Sequence, residues 1–202
     1  MNRLLRAALA ACIVFVSLPL IHSPAIARTS APKCGVERER VKVLEDSTAS
    51  SIDFTPRSSS VNAIRALPVP ANYSRYSQTR YPQERQVLSV QAQLVGWKYE
   101  NDKDFHVVIA QPGHPSETMI VEPPDPSCST SPKRSEFAAT RAALVQCFGE
   151  PHRWRKLPPI TVTLTGVLYF DPIHGQTGVA PNGAELHPLL AVSGLSHCVG
   201  SQ

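Results

Sequence analysis

The chain has 202 residues, 20 Lys and Arg against 16 Asp and Glu, and a formal net charge of +4. That near-balance gives no whole-chain charge argument for nucleic acid, and after the first 21 residues no apolar run approaches the roughly 20 residues of a spanning helix. Length and composition describe one domain of ordinary size with some irregular chain attached.

Residues 1–27 carry Arg3 and Arg6, an apolar run over 7–21 and then Ser-Pro-Ala-Ile-Ala, which is the pattern of a secretory signal cleaved after Ala27. A lipid-attachment box ending at Cys12 and an uncleaved anchor are the competing readings. Cleavage leaves 175 residues. It takes Arg3 and Arg6 of the basic groups and no acid, so the mature net charge is +2. The expected location is therefore secreted or periplasmic. In an oxidising compartment the remaining Cys34, Cys128, Cys147 and Cys198 read as two disulfides, with Cys128–Cys147 and Cys34–Cys198 the favoured pairs of three possible connectivities. Thiolate metal ligation lacks a Cys-x-x-Cys spacing.

Residues 28–85 are rich in Ser, Pro and Arg and read as an irregular N-terminal arm, either wrapped on the main domain or partly disordered. A short strand at 41–44 and a short helix at 61–67 are expected within it, with 69–82 irregular. Regularity starts at Gln86, where Leu88, Val90, Ala92 and Leu94 alternate with polar residues as in a half-buried strand. A polar turn over 100–104 precedes a second strand at 105–110. Gln-Pro-Gly-His-Pro turns the chain into a third at 118–122, which Pro123 and Pro124 stop. Residues 133–148 change period, with Phe137, Arg141, Leu144, Val145 and Phe148 on one helical face and Gly149 at the C-cap. A fourth strand over 160–170 and a fifth over 186–192 flank a long loop.

The order β-β-β-α-β-β over residues 86–202 predicts a mainly β domain with one helix, a five-stranded barrel of OB type. In that topology the turn at 100–106 and the loop at 171–187 meet at one mouth. A loop this long in a compact domain usually carries a use, and this one offers Asp171, His174, Gln176, Asn182, Glu185 and His187 as binding residues. Asp104 and His106 are two apart on strand two and project from one face, with Asp102 extending it. With His174 and His187 they make a mixed nitrogen and oxygen set for a divalent ion, calcium or zinc, with Glu122 or Glu185 as general base. The opposing reading has the same histidines and acids fixing the loop through hydrogen bonds.

The runs at 100–109 (Glu-Asn-Asp-Lys-Asp-Phe-His-Val-Val-Ile), 118–124 (Thr-Met-Ile-Val-Glu-Pro-Pro) and 166–188, with Phe-Asp-Pro-Ile-His-Gly-Gln-Thr-Gly-Val-Ala-Pro-Asn-Gly-Ala-Glu-Leu-His-Pro at its centre, resemble a group of secreted bacterial proteins of unassigned function over residues 34–192. A more distant similarity is to the staphylococcal nuclease family. Asn101 to Asp104 resembles its acidic turn, and Met119 to Asp125 its strand ending in Pro and an acid. That resemblance implies an OB barrel and a carboxylate calcium site. The chain departs from the family in lacking its phosphate-binding arginine on strand three and in adding loop histidines.

No Gly-x-Ser-x-Gly elbow, Walker loop or dinucleotide fingerprint occurs. His152-Arg153-Trp154-Arg155-Lys156 could track a phosphate backbone while Trp154 stacks on a base, or be a solvated connection. Three functions follow: an envelope or extracellular binding or structural module, a metal-dependent hydrolase of phosphodiesters, and nucleic-acid binding without catalysis.

Overall fold

A computed structural model describes residues 34, 35 and 37–195. The expected signal segment and Cys198 lie outside them. No helix among the described residues is long and apolar enough to cross a membrane.

The fold is mainly β. The elements are helix α1 (Glu39–Lys42), strand β1 (Asp53–Ser59), helix α2 (Val61–Arg65), strands β2 (Gln86–Tyr99), β3 (Phe105–Gln111) and β4 (His114–Val121), helix α3 (Arg134–Phe148), and strands β5 (Arg155–Lys156), β6 (Thr161–Phe170) and β7 (Ala184–Ser193). The meander β2-β3-β4 is antiparallel, β4 pairs β7 in parallel, β7 pairs β6, and β6 returns to β2. Five strands thus close a ring of pairings. One strand serves two neighbours in turn: residues 87–93 of β2 pair β6, and 93–99 pair β3, with an irregularity between Leu94 and Gly96 where the strand bends.

The alternation that announces β2 puts Leu88, Val90, Ala92 and Leu94 into the main core with Val107, Ile109, Met119, Val121, Leu164 and Leu186. Each such side chain contributes about 1.5–3 kcal/mol of burial. α3 lays Phe137, Thr140 and Leu144 inward. Gly149 ends it at φ 73, as a C-cap glycine should.

The arm is built differently from its expected form. Residues 41–44 are not a strand: α1 is a single helical turn entered through Arg38 in the left-handed region. Arg38 is fully buried. Its guanidinium donates to both oxygens of Glu84 at 2.7 Å and to the Phe170, Ser77 and Thr79 carbonyls, between the rings of Tyr81 and Tyr169. This buried pair binds arm to ring. α2 forms where expected, capped by Ser60 accepting from the Ala63 N–H, and its Val61 and Ile64 join the main core. β1 was not anticipated. It is an exposed, unalternating edge paired in parallel with β2.

The favoured disulfides are corrected. Cys34 bonds Cys128, with Cα atoms 5.6 Å apart. The arm runs past the loop before α3, where the Ser129 hydroxyl donates to the Val43 carbonyl and the Thr130 hydroxyl to Glu45, so Cys34 reaches Cys128 first. Cys147 is also held in a disulfide.

Candidate functional site

β7 places Glu185 and His187 on one face, since strand side chains repeat every two residues. The parallel pairing of Ile120 with Glu185 and Val121 with Leu186 brings Glu122, just beyond β4, beside them, and its N–H donates to the Leu186 carbonyl. The turn before β3 contributes Asp102, whose carboxylate accepts from the Asp104 N–H, and Asp104, which accepts from the Asp125 N–H. Asp171 leaves β6 with its N–H donated to the carbonyl of Gly183, and Gly183 is left-handed with φ 70. A Cβ there would stand 2.3 Å from the Asp171 carbonyl oxygen, so only glycine permits this closure of the loop.

Asp102, Glu122, Asp171 and Glu185 wall a cavity of about 390 Å³ together with Glu37 and Glu100. Lys42 and Arg75 are the fixed cations on its wall, with His106 and His174 the titratable ones. Arg75 pairs with Glu37, Lys98 with Glu100 at 2.7 Å, and Lys42 with Asp102 at 3.6 Å.

Under the cavity lies a buried chain of charge. Glu122 meets His106 Nδ1 at 2.9 Å and His187 Nδ1 at 3.1 Å, and His187 Nε2 stands 3.2 Å from Asp104. The His187 contacts are close but off the N–H axes, leaving both its nitrogens without an aligned hydrogen bond. Burial alone would discharge His187, but attraction to Asp104 and Glu122 outweighs it and pushes the imidazole up to about 9. Burial would raise Glu122, yet its contacts with His106 and His187 and the field of Lys42 hold it well below the carboxylate range. Glu185 lies at the opposite extreme. Its burial and the charges of Glu122 and Asp171 push it well above that range. Burial also raises Asp171, with Glu122 adding to it, and Asp102, with Asp104 adding. Glu39, behind this wall, rises to about 7 through burial and Asp104. Lys42 stays charged although buried, because Tyr169, Glu122, Asp171 and Asp102 outweigh desolvation.

The expected site residues divide accordingly. Asp102, His106, Glu122, Asp171, His174, Gln176 and Glu185 share the cavity wall. Asp104 and His187 sit behind it. His106 is committed at both nitrogens, to Glu122 and to the Thr177 carbonyl at 2.9 Å. His174 is exposed and bonded to the Pro172 carbonyl, while Gln176 donates to Asp171 at 2.8 Å. Asn182 instead donates to the Ile64 and Leu67 carbonyls, fixing the loop to α2. Asp104, Glu122 and His187 could hold a metal ion, their ligand atoms lying within 4.8 Å of one another. Because Glu122 and Asp104 face opposite nitrogens of one ring, an ion on either nitrogen leaves the other carboxylate paired to the ring.

Sequence reasoning missed Lys42, Glu37 and Arg75, all from the arm. The only trace is the alternating charge of Glu37-Arg38-Glu39-Arg40 before Val41-Lys42, which has no site spacing. Of the basic run, Arg155 and Lys156 form β5 against Gly96 and Trp97, and Trp154 covers Gly96 so closely that a Cβ there would lie 2.5 Å from its ring. None of that run lines the cavity. No family model, curated protein or solved structure matches this chain.

Proposed function

We propose that the protein is an exported, disulfide-stapled binding module whose acidic cavity takes up a positively charged ligand, and that its five-stranded ring is an OB-type barrel. The barrel reading is supported by the pairing order β2-β3-β4-β7-β6 closing on β2, with α3 between β4 and β6. The observation that carries the binding reading is the Glu185 oxygen Oε2. Glu185 lines the cavity, and among the described residues this oxygen is buried and has no hydrogen-bond partner, with His187 at 4.0 Å its nearest cation. A buried acceptor without a donor costs about 1–3 kcal/mol, which a cationic donor would offset. Melting at low ionic strength in graded cation tests this. Cations should raise the melting temperature of the wild-type protein and not of Glu185→Gln, whereas equal shifts in both would refute the site.

A second reading, the metal-dependent hydrolase, draws on the opposed environments of Glu122 and Glu185. One carboxyl shifted well down and one shifted well up on a single wall is the pattern of a base and an acid. A metal on the Asp104, Glu122 and His187 group would supply Lewis acidity toward a phosphate. A phosphodiesterase screen with calcium and with zinc decides it: turnover lost in Glu122→Gln and Glu185→Gln with folding intact supports the hydrolase.

A further inference from the structure

We infer that the cavity's ligand is a small organic dication, an amine or guanidine with two positive centres, rather than a bare metal ion. This rests on the cation-binding reading above and names its ligand class.

The wall carboxyls differ in whether a cation already contacts them. Four of the six wall carboxyls already have cations in contact: Glu37 has Arg75, Glu100 has Lys98, Asp102 has Lys42, and Glu122 has two imidazoles. Asp171 and Glu185 have only an imidazole each, at 4.0 Å, with Lys42 acting from farther off. Among the described residues neither has a Lys or Arg within ion-pair distance. Asp171 has Gln176 and the Tyr169 hydroxyl, both neutral donors, with His174 at 4.0 Å, and Glu185 Oε2 has no hydrogen-bond donor at all. Two carboxyls on one wall therefore await positive charge.

Size and spacing then choose the ligand. A bare ion needs three or more ligand atoms gathered around a point, and among the described residues the one group that meets this is Asp104, Glu122 and His187. Asp104 and His187 of that group are not on the cavity wall, and the His187 imidazolium already sits between its two carboxylates. No other three of the described His, Cys, Asp and Glu side chains bring their ligand atoms within 4.8 Å of one another. The space of about 390 Å³ falls within the range of small-molecule sites and is roughly a dozen times the share of one water. Ammonium and guanidinium groups are donors only, reach carboxylates at about 2.7–2.9 Å, and can be spaced along a short carbon chain. Such a ligand would satisfy Glu185 Oε2 at one end and Asp171 at the other.

Calorimetry of the oxidised protein tests this with 1,5-diaminopentane, pentylamine, calcium chloride and zinc chloride as separate probes. The diamine should bind more tightly than the monoamine. Glu185→Gln and Asp171→Asn should each weaken it at least about ten-fold while the near-ultraviolet spectrum stays unchanged. If calcium or zinc binds at the cavity and the diamine does not, the organic ligand is wrong and cation binding survives. If no cation binds, both fall. Unchanged diamine affinity in both variants would overturn the assignment of the site.

Discussion

Replacing His187 by Gln should remove a pH-dependent share of stability. The imidazole is fully buried against Asp104 and Glu122, with Glu185 and Lys42 in its field and the Tyr169 ring edge-on at 5.5 Å. Folding raises its pKa from 6.5 to about 9. A raised histidine binds its proton more tightly in the folded state, so its contribution is complete below the unfolded value and is lost as pH rises through the folded one. At roughly 1.4 kcal/mol per unit, the full contribution is about 3 kcal/mol, most of it still present near pH 7 and nearly all gone by about pH 9.5. Urea denaturation followed by the buried Trp97 at several pH values would measure it in the wild-type protein and in His187→Gln. The raised carboxyls of Glu185, Asp171, Asp102 and Glu39 shift stability in the same direction in both proteins, so the gap between the two reports the imidazole together with the carboxyls its charge holds down, Glu122 foremost. That gap should shrink by about 2 kcal/mol from pH 7 to pH 9.5. A gap that stays constant would refute the charge assignment and leave His187 as a packing residue.

Arg38→Ala strands the Glu84 carboxylate in the interior and should cost about 3–5 kcal/mol, a fall in melting temperature on the order of 10 °C, and adding Glu84→Gln should recover part of it. Paired replacement of Cys34 and Cys128 by Ser should cost about 2–4 kcal/mol, and limited proteolysis should then cut the arm before the ring. Gly178→Ala would set a Cβ 2.3 Å from a Val108 methyl at φ 81, and a drop of about 2 kcal/mol in urea would confirm that the loop packs this closely on β3.

The legible parts of the fold were those whose local pattern agrees with their packing. Leu88 to Leu94 alternate because one face of β2 meets the core. Phe137 and Leu144 recur at helical spacing because one face of α3 does. The polar loop between β6 and β7 stood out because Gly175, Gly178 and Gly183 all hold left-handed backbone amid side chains that bond to it. The arm was opaque for the opposite reason. Arg38 and Lys42 look like surface residues, and only distant partners, Glu84 and the cavity acids, make their burial favourable. One helical turn and an edge strand without alternation leave no periodic trace. The disulfide pairing depended on the arm's course past residues 128–130, which spacing does not encode. Within the site, residue types were visible but their charge states were not, since those arise from burial and from neighbours far away in the chain.

The most direct measurement is a carbon-13 titration of the Glu185 carboxyl, with and without a saturating cation. The account predicts titration well above the usual carboxylate range in the empty protein and a downward shift when the cation binds. Titration in the ordinary range, unmoved by any cation, would contradict it.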